Sequence, residues 1–221
     1  MLRSIRLRSW AASVLRTMAL FAIFGVCPLP VMAVASDRAE SFVQQSIDKG
    51  YVILNDPALP DDQRHAQFRN FMLAAIDVKR IGLFALGGYS NGASKTDIEA
   101  FTNAFADYAV AVYESRLSKF RGQTLNVTGA IQRAADDVVV DADLVNPDAS
   151  ANAMPIKTAF RVRNMSDGRP VITDIQIEGI WLALSQRSDF TGFLQQHGGR
   201  LSVLTDNLRM QMERLRADKP S

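Results

Sequence analysis

The spacing of apolar residues changes twice along this chain, and these changes limit the folds that it can adopt. In the first half apolar side chains recur every three or four positions, as in Phe101, Phe105 and Tyr108, which predicts amphipathic helices. From Gly122 the period becomes two, and near Arg187 the helical spacing returns. Helices followed by strands and then by helices are typical of an α+β fold.

The middle segment predicts four antiparallel strands joined by turns. Val138, Val140 and Ala142 alternate with a second set that includes Asp141 and Asp143, and Asn-Pro-Asp and Ser-Asp-Gly sequences supply turns. Strands of this kind are apolar on one face and polar on the other. We therefore predict a curved four-stranded antiparallel sheet packed against N-terminal and C-terminal helices.

The first 35 residues have the features of a secretory signal peptide. Four arginines and no acidic residue accompany a short apolar run, Met18–Val26, and Ala33 and Ala35 supply the small residues of a cleavage site. The apolar run is shorter than the roughly 20 residues needed to span a bilayer. We predict cleavage after Ala35, a single domain over residues 36–221, and a location in the periplasm.

Removal of this segment changes the charge of the chain. It takes four of the 25 basic residues, which leaves 21 against 23 acidic residues and a formal charge of −2. No basic stripe remains to bind nucleic acid, so we predict no nucleic-acid partner. Cys27, the only cysteine, is also removed. The bulky Val26 before it disfavours the alternative of a lipidated cysteine.

Few residues form a pattern typical of catalysis. His65 and His197 lack a metal-ligand partner three or four positions away, and we predict no metal and no cofactor. Asp174 and Glu178 lie four residues apart on the predicted fourth strand, which places them on the same face. We interpret them, with Arg187, as a structural polar network. The alternative is an NTF2-like enzyme that uses one of the two carboxylates as a general base.

Several ordered motifs resemble the MlaC family of periplasmic lipid carriers, also called the toluene-tolerance family. They are the Ile76–Gly87 segment (IDVKRIGLFALG), the aromatic series Phe101 to Tyr113, the Val171–Ile180 segment (VITDIQIEGI), and the Arg187–Phe190 segment that follows it. The Ser185–Phe190 sequence, with the later Gly-Gly pair, is similar to the hopanoid-biosynthesis-associated branch of that family.

The resemblance implies an NTF2-like fold with a pocket between sheet and helices that holds the apolar part of a phospholipid or hopanoid. It also implies transport between the outer and inner membranes, with an inner-membrane ABC transporter and an outer-membrane lipoprotein complex as partners. Motif position and strand face together predict nine lining residues: Ile81, Phe84, Phe105, Tyr108, Val140, Phe160, Val162, Ile175 and Ile177. A structural protein with a filled core is a third hypothesis, because aromatic stripes usually pack inside proteins.

Overall fold

Helices flank a single antiparallel sheet in the computed structural model, which describes residues 31–117, 123–146 and 154–217. The elements are α1 Val31–Asn55, α2 Asp61–Ala75, α3 Val78–Leu86, α4 Lys95–Leu117, β1 Thr124–Ala134, β2 Asp137–Val145, β3 Ile156–Asn164, β4 Pro170–Ile177, β5 Ile180–Trp181, α5 Leu182–Gln196 and α6 Leu201–Ala217. This order confirms the predicted α+β fold class.

Most of the helices begin at residues whose side chains stabilise a helix N-terminus. Asp61 and Asp62 occupy the first turn of α2, where carboxylates interact favourably with the helix dipole. The Asp77 side chain accepts the Arg80 N–H at 3.0 Å and so caps the N-terminus of α3. In contrast, α1 begins at Val31, upstream of the predicted cleavage site.

The sheet is a meander in the order β1-β2-β3-β4-β5, with every neighbouring pair antiparallel. Its first four strands are the four that the sequence predicts. The Val171–Leu182 segment, whose alternation predicts one uninterrupted fourth strand that includes Glu178, is divided instead, because the chain reverses at Glu178 and Gly179. Both residues have positive φ angles, 48° and 84°, which suit a tight two-residue hairpin turn. The reversal produces the two-residue strand β5.

The two faces of the sheet differ in polarity. Val140 of β2 pairs with Phe160 of β3, which pairs with Ile175 of β4. These three side chains lie on the apolar face, which we call the inner face. On the outer face Arg161 is in register with Asp174. The alternation that predicted the strands therefore separates an apolar face from a charged one.

Buried apolar side chains form three clusters. The helical core packs Phe101 and Phe105 of α4 against Phe190 of α5, with ring centroids 5.8 to 5.9 Å apart. A second cluster, the α1–sheet layer, joins α1 to the inner face of the sheet. A third joins α1, α2 and α4 around Phe68 and Met72. The functional question is whether a ligand could enter between these clusters.

Candidate functional site

The α1–sheet layer is filled by small and medium-sized apolar side chains. Ala39 and Val43 of α1 are buried against the inner face, where Val140 and Val162 are also buried. Ile47 is partly buried at the edge of the same cluster. The layer is thus an apolar interface that α1 fills in this structure.

Grooves run along both sides of α1. One of about 510 Å³ lies between α1 and α2, has Phe42 and Phe71 in its wall, and carries Lys49 at its rim. Another of about 430 Å³ lies between α1 and β1. Near it the Gln44 side chain accepts the Val127 N–H at 3.2 Å, which ties α1 to the edge of the sheet. Helix α1 therefore has open space on two sides.

A larger cleft, of about 860 Å³, lies between α2, α3, α4 and the β3–β4 hairpin. This volume is within the range of small-molecule binding sites. Apolar residues line part of its wall: Leu73, Ile76, Val78, Ile98, Ala106, Met165 and Val171. Charged residues line the rest: Arg69, Asp77, Lys79, Lys95, Glu99 and Arg169. A surface that is partly apolar and partly charged is complementary to an amphiphile.

Ile76 lies where this cleft meets the α1–sheet layer. Its side chain lines the cleft and packs against all three apolar clusters. Its backbone forms an isolated parallel bridge with Ile172, and the next residue, Asp77, donates its N–H to the Ile172 carbonyl at 2.9 Å. Ile76, at the break between α2 and α3, therefore contributes both to the wall of the cleft and to the packing of the α1–sheet layer.

A small pocket of about 250 Å³ lies on the outer face, between α3 and the sheet. We call it the arginine pocket, because Arg80, Arg161 and Arg163 line it. Arg161 Nε donates to Asp137 Oδ1 at 2.9 Å, and Arg163 donates to Oδ2 at 2.9 Å. These bonds, that of Arg161 foremost, lower the pKa of the buried Asp137 to about 2. The pocket is thus built on a fixed ionic network.

The two carboxylates considered as general bases have separate structural positions. Asp174 Oδ1 accepts the N–H groups of Ile175 at 2.8 Å and of Ala183 at 3.0 Å, so it caps the first turn of α5. Burial raises the pKa of Asp174. Glu178 is exposed in the β4–β5 turn, so the strand alternation that placed it beside Asp174 does not apply. Arg187 instead lies over the Phe84 ring, 5.1 Å from its centroid.

The nine predicted lining residues lie in different parts of the molecule, and none of the four cavities described above brings them together. Most of them lie in the α1–sheet layer or at the helical core. By position they are Ile81 and Phe84 in the arginine pocket, Phe105 and Tyr108 at the helical core, Val140, Phe160, Val162 and Ile175 in the α1–sheet layer, and Ile177 farther along β4. The four in the layer form one continuous apolar surface.

None of the nine predicted lining residues lies in the cleft. Leu73 and Ile98 lie on different helices, and Met165 and Val171 come from the β3–β4 hairpin. Their proximity depends on how three helices meet a hairpin, which spacing along the chain does not encode. The sequence Ala75-Ile76-Asp77 contains one local indication of this position, because the apolar Ile76 directly precedes Asp77, which caps α3.

Two kinds of feature, a metal-binding cluster and a membrane-spanning helix, were sought among the described residues. Across ranges 31–117, 123–146 and 154–217 no group of three or more His, Cys, Asp or Glu side chains is arranged to hold a metal ion. Within the same ranges no helix has both the length and the hydropathy of a bilayer-spanning segment.

The fold and the cavities define a class of α+β protein in which helices cover an apolar sheet face and leave ligand-sized clefts between the layers. The chain belongs to the MlaC family, because the family's sequence model, described as MlaC protein, matches residues 44–210. This result confirms the resemblance drawn from the ordered motifs.

A solved structure has the same fold. It is a phospholipid-binding protein from Ralstonia solanacearum in complex with a phospholipid, and its sequence is 24% identical to this chain. The match covers 80% of this chain and 98% of that one, with a TM-score of 0.67. Among curated proteins, no sequence matches significantly. The structural likeness establishes a common architecture.

Proposed function

We propose that this protein is a periplasmic lipid carrier that holds the apolar part of a phospholipid or hopanoid between α1 and the inner face of the sheet. The observation that carries the proposal is the position of α1, which covers a continuous apolar face and has a groove along each side. Membership of the MlaC family and the phospholipid complex of the Ralstonia protein support it.

The energetics favour exchange of helix contacts for lipid contacts. Moving α1 outward exposes side chains such as Phe42, Val43 and Ile47, at about 1.5–3 kcal/mol each, or about 5–9 kcal/mol together. A chain of about 16 carbons gains on the order of 12 kcal/mol when it leaves water. Relative to a lipid in water, insertion therefore offsets the opening of the layer, and an empty protein closes again. Val140, Phe160, Val162 and Ile175 form the proposed lining.

The proposed biological role is transfer of this lipid between the outer and inner membranes. A free lipid monomer is too poorly soluble to cross an aqueous gap in useful amounts, so a carrier is required. The proposed partners are an outer-membrane lipoprotein complex and an inner-membrane ABC transporter. The signal peptide proposed for residues 1–35 would deliver the protein to the compartment between them.

The direct test is analysis of the purified protein for bound lipid. The full sequence is expressed in a bacterium that makes both phospholipids and hopanoids, and the protein is extracted with organic solvent and examined by mass spectrometry. We expect close to one lipid per protein, and its mass distinguishes a phospholipid from a hopanoid. A protein that carries no lipid after expression and takes none from vesicles would refute the proposal.

A second experiment tests the role of α1. Gln44 and Asn126 both line the α1–β1 groove, so cysteines at these positions, in a Cys27→Ser background, can be joined by a short, cleavable bismaleimide. We expect the cross-link to prevent lipid uptake and its cleavage to restore it. The control pair is Arg209→Cys with Glu213→Cys, one turn apart on α6. Equal uptake by both cross-linked proteins would exclude movement of α1.

A further inference from the structure

We propose that the groove between α1 and β1 is a docking site for an extended, basic segment of a partner protein. The segment adds a strand to the edge of β1, points a Lys or Arg side chain at Asp48, and replaces the Gln44 side chain on the backbone of Val127. The docking site stands on this geometry alone, whereas its effect on lipid exchange rests on the proposed function. The juxtaposition that carries the inference is an open strand edge beside a groove with an acidic wall.

The two edges of the sheet differ in how they are covered. At one edge Ile76 forms a bridge with Ile172, and β5 pairs with the end of β4. At the other edge β1 pairs only with β2, and within the described residues no backbone hydrogen bond joins it to a further element. An uncovered edge presents main-chain donors and acceptors with which another chain can pair. The edge of β1 is therefore the place where a strand can be added.

The regular part of this edge is short and lies along the groove. Residues 124–127 pair with β2 without a shift, and a bulge follows between Val127 and Gly129. Because the Val127 N–H points away from β2, the alternation of antiparallel pairing directs the N–H and C=O groups of Leu125 away from β2 as well. The edge thus accepts an extended segment of about four residues, and the bulge ends the pairing.

The Gln44 side chain occupies the position of a partner strand. Its Oε1 accepts the Val127 N–H at 3.2 Å, and its Nε2 donates to Asp48 Oδ1 at 3.0 Å. The main-chain carbonyl of an incoming strand gives the Val127 N–H an equivalent acceptor, and the backbone of Leu125 offers two further bonds. Exchange of one acceptor for another costs little, so the side chain yields to a strand that makes additional bonds.

The walls of the groove determine which segment fits. Ile47, Tyr51 and Leu125 give it apolar surface, and Asp48 is the only charged residue among its described lining residues. Asp48 is exposed and forms no ion pair within the described part of the chain. Side chains of an extended segment alternate between two sides, and charge complementarity favours a basic partner. The matching segment therefore has an apolar side chain near Leu125 and a basic one near Asp48.

Docking at this edge also changes how α1 is held. Gln44 makes one of the hydrogen bonds that join α1 to the sheet, and Arg38 makes another, to the Gly168 carbonyl at 2.9 Å. A partner strand that takes the Val127 N–H removes the first bond, on the side of α1 that borders the groove. Lipid entry between α1 and the sheet requires the helix to move, so docking favours exchange. By reciprocity, the protein with α1 displaced binds the partner segment more tightly.

The first test finds a segment and asks whether it binds as a strand. A phage library of random heptapeptides is selected against the purified full chain, and the most enriched peptide is labelled for fluorescence anisotropy. We expect alternating apolar residues with a Lys or Arg. N-methylation of one set of alternate backbone amides should weaken binding about tenfold or more, and methylation of the other set should weaken it less. Equal effects of the two sets would overturn pairing with β1.

The second test changes the groove. Gln44→Ala should tighten peptide binding about three- to tenfold, because the Val127 N–H no longer has a side-chain acceptor to give up. The matched control is Gln45→Ala, whose side chain lines the α1–α2 groove instead, and it should bind as the wild type does. Asp48→Asn should weaken binding about two- to fivefold, and this difference should shrink at about 1 M salt.

The effect on lipid exchange is measured with a fluorescent phospholipid in vesicles. We expect the peptide to speed its uptake by the wild type, and the N-methylated peptide that fails to bind to leave uptake unchanged. Peptide binding without faster uptake overturns the coupling to α1. A protein that takes up no lipid but binds the peptide refutes the proposed function and leaves the docking site standing.

Three further results would overturn the docking site and leave the carrier intact. One is a selection that enriches no peptide. Another is an enriched peptide whose affinity is the same for the wild type, Gln44→Ala and Asp48→Asn. The third is self-association of the protein alone, measured by analytical ultracentrifugation and strengthened by Gln44→Ala, which would assign the edge to a second copy of this chain.

Discussion

The helical core and the α1–sheet layer are both apolar, but their packing differs. In the helical core three phenylalanine rings interlock, and Phe101 is fully buried. In the α1–sheet layer α1 contributes Ala39 and Val43 to a mostly aliphatic contact, and grooves lie on both sides of the helix. Interlocked aromatic rings resist relative movement of their helices, whereas a helix with open space beside it can shift.

This difference suggests that the helical core and the α1–sheet layer have different roles. We expect helices α3 to α6 to keep a constant shape, because their contacts include interlocked aromatic rings. The sheet presents an apolar surface that α1 covers in this structure. Four measurements test the contrast, and we give them in order of decreasing expected effect.

The strongest test removes one phenylalanine from each region. Phe101→Ala should lower the free energy of unfolding by about 3–5 kcal/mol, measured by urea denaturation, because it leaves a cavity among the rings. It should not change the lipid bound per folded molecule. The matched change Phe160→Ala, on the inner face of the sheet, should reduce lipid occupancy. If the two variants alter occupancy equally, the contrast between the regions is wrong.

The next test asks whether the sheet is itself a fixed platform. The pKa of Asp137 falls from 3.8 to about 2 in the folded protein, so its charge stabilises the fold by about 2 kcal/mol above pH 4. This contribution is lost as the pH falls from about 4 towards 2, because the folded state binds a proton less readily than the unfolded chain.

Urea denaturation at pH 6 and pH 2.5 measures this contribution. Asp137→Asn should be less stable than the wild type at pH 6 and should lose less stability on acidification. The control Asp143→Asn breaks the pair with Lys157, which is largely exposed, and should change stability by less than about 1 kcal/mol. Parallel pH profiles for the wild type and Asp137→Asn would mean that the ionic network does not hold the strands.

The sequence predicts the architecture better than the site. Alternation over Val138–Leu144 depends only on neighbours in the chain and on one buried face, so it located a strand correctly. The position of Ile76 has a tertiary cause, since the helix breaks there to form a bridge with Ile172. Sequence periodicity also indicates which face is buried without indicating what covers it. For this reason Val140 and Phe105 were assigned to one site although they lie in different clusters.

A smaller effect is expected where α3 crosses α4. A Cβ atom added at Gly82 would lie 2.9 Å from Cδ1 of Phe105, so Gly82→Ala forces the ring to move. We expect a loss of about 1–2 kcal/mol in the free energy of unfolding. Gly192→Ala in α5 is the matched control, because no atom outside its chain neighbours and the adjacent backbone of its own helix lies within 4 Å of its added Cβ and alanine favours helix. If Gly192→Ala lowers the free energy of unfolding, helix propensity does not determine the stability of this control variant.

The smallest effect concerns the junction between the two regions, where Asp174 of the sheet caps α5. Asp174→Ala removes the acceptor of the Ala183 N–H and should cost about 1 kcal/mol at neutral pH. Asp174→Asn keeps an oxygen acceptor and should lose less. Since burial raises the pKa of Asp174, ionisation as the pH rises through that pKa opposes folding, and Asp174→Asn should gain stability relative to the wild type between pH 4 and pH 7.

Urea denaturation of the two variants at both pH values separates the cap from the charge. Equal destabilisation by Asn and Ala at either pH would mean that the carboxylate does not act as a cap. Lipid occupancy, measured on the same samples, addresses the remaining enzymatic hypothesis. A carrier needs Asp174 only to join α5 to the sheet, so Asp174→Asn should bind lipid as the wild type does. A variant that folds and binds lipid normally but leaves the bound lipid chemically different from that of the wild type would instead assign a reaction to this carboxylate.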